Sequence, residues 1–549
     1  MKFFIKLLVS LAVLLLFFSC GKKPCVLKTG PLPEKSVPGK VLSISFNEPI
    51  DTIDQQKAVY SSSFEIIGSM MDGLMQMAED GSVKKAICDE ETVSPDGLLY
   101  TFKLRKDVFW SNGEPVTAHD FVYGWQRAVD PAMESEYAFM MADIAQIKNA
   151  GAIIAGKMDA NQLGVRAVDD YTFEVQLEVP VSYFDQLLYF CTFYPANEKF
   201  IKKVGDKYGT SAETYLCNGA FFLTEYKPDS SVALVKNTAY YDASSVKLGG
   251  LHYIYVRNGD EALRRYKRGE IDLVSIDGEQ VKSEKENPAF KAVDSGFLFY
   301  LSFNLKEPKL QNKNLRQALA LAFDRELMSE EISDGSVASY ACVPRGFAFD
   351  SNGVDFTPNQ PEFPDYCSFN PERARELLNK AKLETGKSDF EIEFLVADVE
   401  AQKIAAESFK RQVEENLKDV HIKLRTVPKA DRRKIMARHE FDIGLTNWGP
   451  DYADPMTYLS MWVTGNENNY ESFSNPQYNA LIARCSDGDL CTIPQKRWKA
   501  LKQAETMLME DVAVTPFYQQ CDANMINPAV KGIEFHAVAV NRIFKHAIK

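Results

Sequence analysis

The sequence carries too little positive charge for a polyanionic partner. Its 63 Lys and Arg are outnumbered by 76 Asp and Glu, for a formal net charge of −13. Phosphate binding wants a basic surface, so nucleic acid is excluded as the expected partner. Histidine is scarce. The six are His119, His252, His421, His439, His536 and His546, and none falls in an HExxH or comparable ligand spacing. There is no CxxC pair, no Walker-type phosphate loop and no GxSxG elbow. These absences leave no visible catalytic apparatus and imply neither a metal nor a cofactor. Past the N-terminus no apolar run is long enough to span a bilayer. No internal repeat, low-complexity tract or coiled-coil heptad occurs.

What is present is ordinary globular material: 549 residues, 45% hydrophobic and 25% charged, enough for two to four domains. The first nineteen residues differ. Lys2 and Lys6 precede an apolar run, Leu7 to Phe18, which ends at Ser19 and Cys20. That is a secretory signal, with a charged start, a short apolar core and a small residue at the cut. Cys20 directly after Ser19 resembles a bacterial lipobox, in which the cysteine is acylated, although Phe17 stands where Leu is usual. Residues 20–41, rich in Pro, Gly and Lys, read as a tether. Ten cysteines are present. With Cys20 acylated, nine remain, so at least one is unpaired or bonded to another chain. Cys485 and Cys491 are close enough to clip a short loop.

Strand and helix patterns alternate through the rest of the chain. Tyr100, Phe102 and Leu104 alternate with polar neighbours, as do Phe173, Val175 and Leu177 before Pro180. Thr117 with Asp120 predicts a capping box for a helix whose stripe is Phe121, Val122, Trp125 and Val129. Asn370 and Pro371 open another helix. Ile404, Phe409, Val413 and Leu417 lie along one side of a third. Leu315 to Met328 reads as one helix buried on more than one side. Phe441 to Leu445 (FDIGL) reads as a buried strand, followed at once by NWGPDYADP, Asn447 to Pro455. The class is mixed α/β in several lobes.

The stretch Ser94 to Pro131 (SPDGLLYTFKLRKDVFWSNGEPVTAHDFVYGWQRAVDP) closely resembles the signature of the oligopeptide-binding proteins of bacterial ABC importers. In the same order follow NGAF at Asn218, RGEID at Arg268, LRQALALAFDRE at Leu315 and NWGPDYADP itself. The resemblance runs from about residue 42 to the C-terminus. It implies a class II periplasmic-binding fold, with two hinged lobes and an appended domain. Residues 42–71, 198–296 and 513–549 would form one lobe, 72–197 the appended domain and 297–512 the other lobe. It further implies an extracytoplasmic monomer in the periplasm or on the cell surface, held to the membrane through Cys20. Short peptides would be its ligands, and an ABC permease of two membrane subunits with ATPases its partner. In similar proteins the aspartate of the W-x-x-D-Y run pairs with the peptide α-ammonium. Here that is Asp451, with Trp448 and Tyr452 flanking it, the Asn447 to Gly449 backbone as the ligand-bonding edge, and Tyr137 on the ligand backbone. Phe109, Trp110, Asp120, Phe121 and Trp125 read as core and cap.

The chain departs from that pattern in three places. Val59 stands where the family carries an acid near the bound N-terminus. Leu445 replaces an arginine used on the peptide C-terminus. A polar residue near Asp431 replaces a second cleft tryptophan. Arg432, Arg433 and Arg438 lie close by in sequence and read as a solvated helix face or as carboxylate contacts. On the residues alone, Asp451 reads as the start of a turn after Gly449-Pro450 with Tyr452 packing, and Trp448 could be core. Other readings are a dedicated solute (murein peptide, dipeptide, glutathione, haem or chelated metal) or an adhesin or chaperone reusing the fold.

Overall fold

Two strands are far longer than the rest, Phe290–Phe303 and Val514–Ile526. They pair antiparallel and form the spine of an eleven-stranded sheet. On one side of the spine lie Leu273–Ser275, Val41–Phe46, Gly250–Tyr255, Ser231–Lys236 and Phe221–Lys227, in that order. On the other side lie Ile443–Trp448, Phe390–Ala397 and Val420–Val427. One sheet therefore runs through two halves that share two strands. The computed structural model describes residues 30, 32, 39–48, 50–79, 81–350, 352–358, 363–538 and 540–549. The expected signal segment, Cys20 and nearly all of the tether lie outside the described residues.

The spine is not regular. Asp294 pairs with Cys521 but Leu298 pairs with Gln519, so the first strand carries two extra residues at a bulge. Side chains stitch the bulge. Ser295 Oγ donates to the Gln520 carbonyl at 2.8 Å and Gln519 Nε2 to the Ser295 carbonyl at 2.8 Å. Arg345 grips Asp294 at 2.8 and 3.1 Å. The bulge falls where the spine passes from one half-sheet to the other.

A separate four-stranded antiparallel sheet, ordered Cys88–Val93, Leu99–Leu104, Thr172–Gln176, Val165–Asp169, packs on the helix Ala118–Val129. The Thr117–Asp120 capping box is formed, with the Thr117 N–H and hydroxyl both donating to Asp120 Oδ2 at 2.7 and 2.9 Å. Trp110, Phe121 and Trp125 are buried beneath it. The other family motifs are also structural. Asn218 accepts from the Asp72 N–H at 2.8 Å, and Asp272 from Ser43 N at 2.8 Å and Lys549 at 2.7 Å. Arg316 donates to the carbonyls of Leu310 and Val512 at 2.7 and 2.9 Å.

Three local expectations need correction. Leu315 to Met328 is two helices, Lys313–Leu321 and Arg325–Ile332. Asp324 caps the second by accepting from the N–H groups of Glu326 and Leu327, which stops the first. The FDIGL strand starts two residues later and runs through Trp448, because Asp442 is committed to Lys309 Nζ at 2.6 Å and Glu393 N at 2.7 Å. Cys485 and Cys491 are free thiols. Cys485 Sγ faces the Arg497 carbonyl and Cys491 Sγ the Pro180 carbonyl, so the two point to different neighbours.

Candidate functional site

The strand Ile443–Trp448 has one edge fully paired and one mostly free. On the spine side every residue pairs, from Ile443 with Phe303 to Trp448 with Leu298. On the other side only Ile443 and Gly444 find strand partners, Phe394 and Leu395. From Leu445 onward that edge is unpaired by any strand among the described residues. An exposed row of backbone donors and acceptors is a template for an added strand.

The free edge opens into a cleft of about 750 Å³ between the two halves. Five of the six residues expected to bind ligand line it: Asn447, Trp448, Gly449, Asp451 and, from far earlier in the chain, Tyr137. A second cavity of about 560 Å³ shares Ser61, Phe297, Lys429, Asn447 and Asn541 with it, so the groove is continuous. Tyr452 is not part of this lining. Its ring stacks on Tyr183 with centroids 4.6 Å apart. Val59 does not line the cleft either, and its N–H is held by Asp51 at 2.8 Å. Leu445 is fully buried in the core.

Asp451 is the chemically unusual group. Burial raises its carboxyl to about 6 from an ordinary value near 4, with no cation opposing the shift. Its backbone N–H is held by Thr457 Oγ1 at 3.3 Å, while the carboxylate has no partner among the described residues. The charge is felt by Tyr137, whose phenol is pushed up to about 12 by burial first and Asp451 second. Tyr137 sits among Phe64 and Phe190, ring centroids 5.4 and 5.0 Å away. A half-buried, unpaired carboxylate at the end of an open strand edge suits a ligand ammonium.

The loop is locked to the bulge. A Cβ on Gly449 would lie 2.4 Å from the Phe297 ring, and one on Gly296 would lie 2.4 Å from Pro450. Only glycines permit this approach. Tyr458 OH donates to the Gly296 carbonyl from beneath. The residues that would touch ligand and those that would act as a hinge are therefore packed together.

Arg432 is the residue the sequence undervalued. It is buried, on the helix Lys429–Ala437, and lines the cleft. Arg433 and Lys429 line it from the helix's exposed side. Asp431, by contrast, points to solvent and lies 3.6 Å from Lys434. The available signal was spacing: Arg432, Ile435 and Met436 share one helical face, and all three are buried.

A continuous groove between two half-sheets joined by two bulged strands defines a cleft-type binding protein. The chain belongs to the bacterial extracellular solute-binding proteins, family 5, whose model matches residues 82–470. It is 30% identical to a dipeptide-binding protein of Lactococcus lactis, over 92% of this chain and 94% of that one. It is also 30% identical to a probable deoxycholate-binding periplasmic protein of Escherichia coli, over 91% of each. Among solved structures, the substrate-binding domain of an oligopeptide ABC transporter from Bacillus anthracis is 37% identical, with a TM-score of 0.68, covering 94% of this chain and 99% of that one. The fold is thus the expected α/β class II periplasmic-binding type, and the relatives are binding proteins, not enzymes. The murein tripeptide-binding protein MppA appears in two structures, each 27% identical to this chain. The unliganded open form gives a TM-score of 0.81, covering 92% of this chain and 96% of that one. The other, from Escherichia coli, gives 0.67, covering 92% and 99%. No described helix is long and apolar enough to cross a membrane.

Proposed function

We propose that this chain is the extracytoplasmic receptor of an ABC importer and captures short peptides by their free α-ammonium. The observation that carries this reading is the unpartnered Asp451 carboxylate beside the open Asn447–Gly449 edge. Every peptide with a free N-terminus presents an ammonium and a backbone, whatever its side chains. Pairing the ammonium with Asp451 and adding the backbone as a strand gives affinity without reading sequence. Trp448 and Tyr137 wall the two sides.

In this reading residues 42–71, 198–296 and 513–549 form one lobe, 297–512 the other, and 72–197 is appended. The stitched bulge at Ser295–Phe297 is the hinge, and closure buries the peptide between the lobes. Acylated Cys20 keeps the monomer at the membrane, where the closed form meets the permease and its ATPases. The curated relatives are named for dipeptides, oligopeptides, murein peptide and deoxycholate, so the fold alone does not select the solute. Native mass spectrometry of protein purified from its host tests the reading. A ladder of added masses matching short peptides is expected. A single mass that is not a peptide would overturn it. Replacing Cys20 by Ser should release the protein from membranes, and retention after signal cleavage would contradict the anchor.

A further inference from the structure

The cleft contains a second charge without a counter-charge. Arg432 Nη1 donates to the Leu445 carbonyl at 2.9 Å and to Gln402 Oε1 at 3.0 Å. Nη2 reaches Asn447 Oδ1 only at 3.4 Å, and Nε has no hydrogen-bond partner. All of these acceptors are neutral, and among the described residues no carboxylate pairs with the guanidinium. Arg325, in the core, is also held only by carbonyls, those of Pro516, Ala320 and Cys367, but it lines no part of the cleft. Other arginines with little exposure are paired. Arg497 is paired bidentately with Asp454 at 2.7 and 2.8 Å, and Arg542 with Glu65. A buried guanidinium held only by neutral oxygens retains most of its desolvation cost until an anion arrives.

Position adds a second argument. Arg432 grips the strand at Leu445 and Asn447, whereas Asp451 lies beyond the strand's other end. A strand rises about 3.3 Å per residue, so Leu445 and Trp448 are roughly 10 Å apart. That is about the length of two or three extended residues. Lys429 and Arg433, on the same helix, line the same groove. Neither pairs with a carboxylate among the described residues. In a chain of net charge −13, three cations on one cleft wall mark a local site for negative charge.

We propose that Arg432 binds the ligand's carboxylate, so that the groove reads both termini of a short zwitterionic peptide. This rests on the peptide reading above and adds the recognition of the far end. Leu445 cannot supply that contact, since its aliphatic side chain has no donor and is packed in the core. Arg432 supplies it from a neighbouring helix, across the Leu445 carbonyl.

The test uses randomised peptide mixtures of two to five residues, as free acids and as C-terminal amides. Each is titrated into the full chain by calorimetry and read by native mass spectrometry. Wild-type protein should prefer acids over amides by about thirtyfold or more. Arg432→Gln should bring the two within about threefold, while the preference for free over acetylated N-termini persists. Because Arg432 also braces the strand, Gln402→Glu provides an independent variant. It places a carboxylate about 3 Å from Nη1 with almost no change of shape. It should erase the acid preference while leaving thermal stability equal or higher. An acid preference that survives in Gln402→Glu, or is missing from the wild type, overturns the assignment to Arg432. Binding of amides and acids alike sinks this inference alone. Failure to bind any peptide sinks the peptide reading and this inference with it.

Discussion

NWGPDYADP holds two aspartates three positions apart, and the fold treats them oppositely. Asp454 is locked to Arg497 by two hydrogen bonds, with both side chains 5% exposed. Asp451 is half-buried with no counter-charge. The same contrast recurs between Arg127, paired with Asp54 at 2.6 Å, and Arg432, paired with no acid. These two closed pairs lie away from the cleft, and these two unclosed charges line it. Arg325 and Glu471 are unclosed as well, but both are sealed in the core and touch no cleft. The residue types are the same, so a missing counter-charge combined with a place on the cleft wall distinguishes site from architecture. A framework pair is complete on folding. A cleft charge is completed only by ligand, which is how a receptor reserves binding energy for its solute.

The largest test of this contrast is Asp454→Ala. It strands a buried Arg497 and should cost about 3–5 kcal/mol of stability in urea unfolding. A loss below about 1 kcal/mol would place Asp454 in the same category as Asp451. Next is Asp451→Asn, which should weaken free-amine peptides by about thirtyfold or more in calorimetry, with melting temperature unchanged or raised. A fall in melting temperature comparable to that of Asp454→Ala would mean Asp451 has a structural partner after all.

Gly449→Ala sets a methyl against Phe297 and should cost about 1–3 kcal/mol, with weaker peptide binding. Binding that stays intact would separate the loop from the bulge.

pH sharpens the contrast further. The carboxyl of Asp451 is raised to about 6, above its unfolded value near 3.9. Its contribution to stability is therefore present below about pH 4 and lost as pH rises through 6. The ionised form that ligand needs is the strained one. Affinity for free-amine peptides should fall about tenfold between pH 7 and pH 5, and a flat profile would dissociate Asp451 from binding. Smallest is Tyr452→Phe. It keeps the ring on Tyr183, and because Tyr452 does not line the cleft, peptide affinity should stay within about twofold.

Local chemistry was legible where it is local. The Thr117–Asp120 box and the Asn370-Pro371 start are set by neighbours within one turn, and both form. Asp324 was the missed stop, since an Asp inside an apolar periodic run signals a cap only when the turn before it breaks. Asp442 shifted the strand start because its partner, Lys309, lies far away in sequence. In the candidate site, Asp451 could be singled out only through the family pattern, since periodicity offers no reason to prefer it to Asp454. Arg432 was hidden because KADRRKIMARHE is mostly charged and reads as solvated. Its burial depends on Gln402 and Leu445, brought in from other elements. Tyr452 shows the converse, a motif aromatic whose direction only the packing on Tyr183 reveals.

The most direct test of the central claim compares one randomised peptide mixture with its N-acetylated counterpart on wild-type protein by calorimetry. If Asp451 closes its charge on the ligand, the free-amine mixture binds and the acetylated one binds about thirtyfold more weakly or not at all. Equal affinity for the two mixtures would contradict the account.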